Sequence, residues 1–442
     1  MNLKFDVNKN FTVMGLFWLP GKPENKISGE LSYDASNGVS VKFVSDFQKA
    51  SFLATDEIPY LLGDCSEIGE ITLIQCHVAS FSIAAIYEKK YRVLYAITNI
   101  HYNENENVFN LIEFHFDELN SFCTQNEGIC IKNDTPVLES FLDENTRLSI
   151  YEGCKDAFAV SNTLYMWSDV EKNESFREYR EKLEGVILTK PFLIISLQKE
   201  GLSFSESLQK AHHIEKIFRF FMLTPVYTTY FSLTSAQGEH FLLRKPVGER
   251  KKNSCFFHFL PVNINNVREN FSEIWKKWND VLEDTKCNVL ITDKFFNGNP
   301  FGYMSFGIII STINDWQQKY GTDKKHKTLC EKFLEESLCE KNEFTDNVKS
   351  YFKNALQTED FHEISEILSD LRNALLHEKK QNSKMKKIAA EIFKSDAAIR
   401  NLSEMLFLIL TRDVWKHIGV RLTSQTDHHL TRYFPNWQNI AF

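Results

Sequence analysis

No Cys-x2-Cys pair occurs anywhere in these 442 residues, and the nine cysteines, at 65, 76, 123, 130, 154, 255, 287, 330 and 339, are odd in number and widely scattered. That argues against a disulfide scaffold and against the common zinc and redox spacings. The adjacent pairs His212-His213 and His428-His429 miss the four-residue spacing of a helical zinc pair, so no metal site and no cofactor is expected. No apolar run approaches the ~18 residues needed to span a bilayer. The start, Met1-Asn2-Leu3-Lys4-Phe5-Asp6, has no apolar signal core, so a reducing cytoplasm is the expected location. An excess of basic charge is missing too. The net charge is −8, and any nucleic-acid contact therefore has to be a local patch rather than a global field.

What is present is an ordinary globular composition, 25% charged and 43% hydrophobic, in a chain long enough for two or three domains. The fold class expected is α+β. Residues 1–150 read as an antiparallel β-rich domain, a sandwich or a curled sheet. Val13 to Pro20 is apolar and aromatic, and Ser28 to Tyr33 leads through the Asn37-Gly38 turn to Val39-Ser40-Val41-Lys42-Phe43, which alternates with period two. Further strands are expected at Glu70 to Ile74, Phe81 to Tyr87, Tyr91 to Ile97 and Val108 to Phe114.

Residues 151–296 read as a mixed α/β continuation of that region. Asn173 to Leu183 is polar and helical, Phe192 to Leu197 is strand-like, and Ser205 to Phe221 is an amphipathic helix capped by Ser205. Strands at Val226 to Leu233 and His240 to Leu243 precede a basic run from Arg244 to Lys252, and Val267 to Val281 reads as a helix. After the turn cluster Asn297-Gly298-Asn299-Pro300, residues 297–442 read as a bundle of about six helices: Phe301 to Tyr320, Thr328 to Cys339, Phe344 to Leu356, Phe361 to His377, Lys384 to Phe393 and Asp396 to Val420.

On the fourth of these helices, Phe361, Ile364, Ile367, Leu368, Leu371 and Leu375 form one apolar stripe, so Arg372, Asn373 and His377 ride on an anchored helix. Positions five apart lie about 140° apart on a straight helix, so Arg372 and His377 converge only where the helix ends or bends, or where a partner subunit supplies one of them. The apolar pattern does stop at His377. Beyond it lie Lys379, Lys380, Lys384, Lys386 and Lys387, a local cationic cluster suited to an RNA backbone. Arg412 and His417 repeat the spacing, and Arg421 and His428 fit a looser form. Arg412 and His417 close a strongly apolar helix, where the helix dipole accounts for basic residues.

Arg372, the polar Asn373 directly after it and His377 resemble the active-site motif of the HEPN ribonucleases. The opening Gly15-Leu16-Phe17-Trp18-Leu19-Pro20, then Gly29-Glu30-Leu31 and Gly38-Val39, resembles the start of the N-terminal domain of ApeA-type proteins, bacterial anti-phage proteins that carry an HEPN domain at the other end. The resemblance implies a toxic, metal-independent endoribonuclease that cuts tRNA in the anticodon region during abortive infection. It also implies paired HEPN domains in a homodimer, no membrane partner, and an N-terminal region that senses a phage-derived trigger or restrains the nuclease. An acidic residue on the first long helix is implied as well, and the corresponding place reads Thr312-Ile313-Asn314-Asp315-Trp316, with Asp315 the candidate.

RNA carries its own nucleophile, so His377 as general acid or base, with Arg372 on the phosphate oxygens, suffices for cleavage. Asn373 would hold the phosphate or orient a neighbour. The alternative is a non-catalytic HEPN module that binds a nucleotide or a partner protein as a scaffold.

Overall fold

The computed structural model describes residues 10–34, 37–45, 55–83, 87–103, 108–116, 119, 122–123, 136–152, 193–224, 226, 228–244, 260–283, 303–322, 328–376 and 387–433. The polar helix expected over 173–183 and the turn cluster at 297–300 lie outside them.

Six strands come first: β1 (Phe11–Trp18), β2 (Ile27–Asp34), β3 (Gly38–Ser45), β4 (Glu57–Cys65), β5 (Gly69–Ile83) and β6 (Tyr87–Thr98). Their hydrogen-bonded order is β3-β2-β1-β4-β5-β6, and β6 returns to pair with β3, from Val39 opposite Val93 to Ser45 opposite Tyr87. Every one of these pairings is antiparallel. The curled sheet is thus a closed six-stranded barrel, which leaves no open edge along the paired residues.

Inward-facing residues alternate along each strand, as period-two patterning demands, and include Phe17, Leu31, Val41, Phe43, Leu61, Leu73 and Tyr91. Phe17 and Phe43 meet edge to face at 5.6 Å. Two glycines make room for those rings. A Cβ on Gly29 would lie 2.7 Å from the Phe43 ring, and one on Gly63 would lie 2.5 Å from the Phe17 ring. Phe81 to Tyr87, read as one strand for its apolar content, is divided: Ile83 of β5 and Tyr87 of β6 are cross-strand partners, so one strand cannot contain both.

A second group of strands grows from the far half of β6: β7 (Phe109–Phe116), β8 (Leu138–Asp143), β9 (Thr146–Glu152), β10 (Leu193–Leu202), β11 (Thr228–Ser235) and β12 (Gly238–Arg244). Where β3 ends its pairing with β6, β12 takes over, placing Leu242 opposite Ile97 and Arg244 opposite Tyr95. The order then runs β12-β11-β7-β10-β9-β8. Residue 150 falls inside β9, and β7 lies between β11 and β10, so strands from both sides of residue 150 share one sheet.

Alternation lets the shared strands serve two cores. Leu243 and Ala96 face into the barrel, whereas their neighbours Leu242 and Ile97 belong to a second, larger core.

Helix α1 (Phe204–Met222) lies on the second sheet, burying Ala211, Ile214, Ile217, Phe218 and Phe221. Its cap is Ser203, not Ser205. The Ser203 side chain accepts from the Glu206 N–H while Glu206 accepts from the Ser203 N–H, a reciprocal capping box that starting at Ser205 would forfeit because Leu208 stands at the third position.

Eight helices follow among the described residues: α2 (Phe271–Glu283), α3 (Tyr303–Tyr320), α4 (Leu329–Ser337), α5 (Glu343–Leu356), α6 (Phe361–Leu376), α7 (Lys387–Phe393), α8 (Asp396–Ile418) and α9 (Ser424–Thr431). Six match the expected bundle. The helix expected over Val267 to Val281 is α2, which packs against α8, and the short α9 is the addition. Phe220 of α1 stacks on Trp278 of α2 at 5.2 Å and meets Trp415 of α8 at 5.8 Å, so one apolar core runs from the second sheet into the bundle. Farther along, Asn266, in a 3-10 turn at Ile264–Asn266, donates to the Arg421 carbonyl at 2.7 Å and accepts from the Arg421 N–H at 2.9 Å, tying the segment before α9 to the segment before α2. The architecture is α+β, with β-rich residues first and an all-helical region after. No described helix is long and apolar enough to cross a membrane.

Candidate functional site

The apolar stripe of α6 is buried as its spacing dictates: Ile364, Leu368 and Leu371 are fully enclosed, Ile367 and Ala374 nearly so, and Phe361 and Leu375 pack at the margin. It faces α3, α4 and α7. Asn373, on the opposite side, is exposed, and Arg372 is half-buried beside the stripe. The Arg372 Nε is enclosed and has no hydrogen-bond partner, and no carboxylate pairs with its guanidinium among the described residues. The structure describes α6 to Leu376, and His377, Lys379, Lys380, Lys384 and Lys386 lie outside the described residues. Lys387 begins α7, and its side chain is likewise outside them. Asp315 is half-buried on α3, a helix that packs against both α6 and α8.

The second Arg-x4-His match has a different setting. Arg412 Nε donates to Asp427 Oδ1 at 2.8 Å, its Nη2 reaches Glu340 Oε2 at 3.2 Å, and its guanidinium lies over the Phe344 ring at 5.2 Å. Glu340 also holds Lys416, and the two cations keep its carboxyl below the usual range, the Lys416 hydrogen bond contributing most. His417 packs on Trp316 at 5.2 Å and on Tyr320 at 4.2 Å, and burial pushes its imidazole below its ordinary value. The Trp316 indole donates to Asp413 at 2.7 Å, and Asp413 is pushed up by burial against the pull of that bond. Arg412 is therefore explained by two carboxylates rather than by the helix dipole. In the looser match, His428 pairs with Glu343 at 2.9 Å.

Sequence reasoning missed one charged centre altogether. Glu215 of α1 is 3% exposed and accepts from Thr228, from Arg244 at 3.2 Å and from His212 at 3.4 Å, with Arg219 3.8 Å away. Burial alone would raise its pKa, but the His212 hydrogen bond and the charges of Arg244 and Arg219 hold it below the usual carboxylate value. The i,i+4 pair Glu215 and Arg219 was visible in the sequence, whereas Arg244, the first residue of the basic run, reaches Glu215 only through the β12 register. The remainder of that run lies outside the described residues.

Compared with protein families, residues 12–278 match the model described as ApeA N-terminal domain 1. The chain belongs to the ApeA family. The match runs from β1 through the barrel and the second sheet to Trp278 of α2, so it covers the whole β-rich half as one unit and stops before α3. Arg372 and Asp315 lie beyond it. ApeA membership supports a role in antiviral defence. Neither the curated proteins nor the solved structures yield a match to this chain.

Proposed function

We propose that this ApeA-family chain is a metal-independent HEPN endoribonuclease of abortive infection, with Arg372, Asn373 and His377 as its reacting set and tRNA as its substrate. The observation that supports this most is the contrast between the two arginines. The charge of Arg412 is consumed by Asp427 and Glu340, whereas Arg372 sits at the edge of a buried stripe with an enclosed Nε and no protein carboxylate among the described residues. A cation held in place without an anion is what a phosphate oxygen needs, and the planar fork of arginine suits a phosphate as negative charge builds in the transition state. His377, five positions on, supplies the proton transfer, Asn373 orients the phosphate, and Asp315 is the acidic partner. Two such sets facing across a homodimer give one acid and one base. The β-rich half is the sensing or restraining part.

Purified protein incubated with bacterial RNA in EDTA tests the reading. Arg372→Ala and His377→Ala are expected to abolish cleavage and cell toxicity at small stability cost, because Arg372 stands beside the buried stripe and His377 follows the last stripe position, Leu375, in the sequence. Products should end in 2′,3′-cyclic phosphate and 5′-hydroxyl. Full activity in His377→Ala, or cleavage that needs Mg²⁺ or Mn²⁺, contradicts it.

A further inference from the structure

Where the 3-10 turn at Ile264–Asn266 meets the start of α9, the chain leaves an open cavity of about 260 Å³. Its walls are two capping turns. Asn263 Oδ1 accepts from the Asn265 N–H at 3.0 Å, and Thr423 Oγ1 accepts from the Thr426 N–H at 3.2 Å. Asn266 joins them, its Nδ2 donating to the Arg421 carbonyl at 2.7 Å and to Thr426 Oγ1 at 3.3 Å, so the shape is held before any ligand arrives. The lining is rich in donors that the protein does not use. Arg268 and Arg421 are exposed, and neither guanidinium has a partner among the described residues. The Asn263 side chain is 9% exposed, and with its oxygen committed to Asn265 its Nδ2 is left without a partner. That atom is not among the sealed ones, so it opens on the cavity that Asn263 lines, where a ligand acceptor would pair it. Glu269 brings the one carboxylate among the described lining residues, and burial keeps the His429 imidazole uncharged near neutral pH. Two arginines against one glutamate leave the lining with a single net positive charge.

A cavity below the roughly 300–1,000 Å³ of sites that enclose a whole small molecule admits a group rather than a molecule. Two planar forks and a buried amide donor with one net positive charge suit a singly charged phosphodiester, whereas a doubly charged phosphomonoester would be opposed by Glu269. We infer that this cavity takes one backbone phosphodiester of an RNA strand, met by Arg268, Arg421 and Asn263 Nδ2, with the bases left outside. The choice of RNA rests on the ribonuclease reading, and the phosphate site rests on the cavity. Such a contact is blind to base sequence and anchors the strand beside α9, apart from the proposed nuclease centre on α6.

Fluorescence anisotropy of labelled bulk tRNA over a salt series tests it, with every full-length chain carrying His377→Ala so that the RNA stays intact. Arg268→Gln and Arg421→Gln, both at exposed positions, should each weaken binding about three- to tenfold relative to the His377→Ala parent. The double variant should lower the log–log salt slope by about one unit and not two, because both arginines meet one phosphate. Asn263→Asp keeps the oxygen that caps Asn265 and replaces the donor by an anion, so it should weaken binding as well. Glu269→Gln should tighten binding about twofold or more, a gain that misfolding does not produce. Inorganic phosphate should displace the RNA no better than chloride at equal ionic strength. The inference is overturned if the arginine variants keep the parent's affinity and slope, if Glu269→Gln fails to tighten binding, or if inorganic phosphate alone fills the site. Cleavage is scored separately in chains with His377 intact. Cleavage alongside unchanged binding in the arginine variants rejects this site alone, and binding that follows the arginines in a chain that cleaves nothing rejects the nuclease alone.

Discussion

The barrel and the second sheet use the same antiparallel strands, but they bury their side chains in different company. The barrel encloses its own core, in which Phe17, Leu31, Phe43 and Tyr91 face one another across a closed wall. The second sheet has no such enclosure. Phe114, Ile195 and Leu233 share one continuous core with α1, α2 and the bundle through Phe220, Trp278 and Trp415. Closure makes a sheet self-sufficient, whereas an open sheet must borrow apolar surface from helices. The strands that sense or restrain in the proposed function are thus of two kinds. One kind can be perturbed without touching the helices, and the other cannot.

The sharpest test of this division is Trp278→Ala. The residue is fully buried at the junction of α1, α2 and α8, and truncation should cost about 3–5 kcal/mol. Urea unfolding followed by far-UV circular dichroism and by hydrogen exchange should show the second sheet and the helices losing protection together while the barrel keeps its own. Protection lost from the helices alone would mean that the large core is really two.

Glu215→Gln comes next. It leaves Arg219 and Arg244 without their buried anion, at a cost of about 3 kcal/mol near neutral pH. The folded carboxyl has a pKa below its ordinary value of 4.5, so the stability it contributes is present above that value and fades as pH falls through the lower, folded one. The parent should therefore lose stability in acid more steeply than the Gln variant, and equal slopes would remove Glu215 from the account.

In the barrel, Gly29→Ala drives a methyl into the Phe43 ring and should cost about 1–3 kcal/mol. The loss should appear as exchange in β2 and β3 and leave α1 and α6 protected. Spread of the effect into α6 would join the two cores that the packing separates.

The smallest effect is a pH slope. Burial lowers the pKa of His213 to about 4 and also lowers those of His240, His417 and His429, so all four favour the uncharged form when folded. Groups of this kind contribute stability fully above their unfolded value near 6.5, and it is lost progressively as pH falls toward the folded values. All four lie against the large core, His213 on Trp275, His240 on Phe109, His417 on Trp316 and His429 on the Leu260 carbonyl, so the second sheet and bundle should weaken before the barrel between pH 6.5 and 4. His213→Gln should flatten part of that fall, as read from melting temperature against pH.

Much of this was legible wherever the determining contacts are near in sequence. The Asn37-Gly38 turn and the alternation from Val39 to Phe43 specify β3, and the stripe from Phe361 to Leu375 specifies the buried side of α6. The opening glycines were read as a family likeness, and Gly29 proves to be a space for the Phe43 ring. Closure was not legible, because pairing β3 to β6 and inserting β12 between β6 and β11 depend on register across long separations. Strand β4, with Pro59 and Gly63 inside it, carries too weak a pattern to be read alone. The same limit applies to the arginines. Arg412 carries the same spacing to a histidine as Arg372 and was set aside on the helix dipole, but the partners that hold its charge, Asp427, 15 positions on, and Glu340, 72 positions back, appear only in the fold.

Strand β6 has a further consequence, in the order of synthesis. Its first half finds β3 and β5, both already made when it leaves the ribosome, so the barrel can close at once. Its second half waits for β12: the Phe241 N–H that bonds to Thr98 Oγ1 is 143 positions later, roughly 7 to 30 s of translation. For that interval Tyr95, Ala96 and Ile97 present an unpaired edge to whatever strand is nearest, including the same segment of a neighbouring nascent chain. Chains released early, before residue 238, keep that edge permanently. Aggregation of this protein is therefore expected to begin at a strand that is well ordered in the finished molecule, and to worsen with ribosome stalling anywhere between β6 and β12.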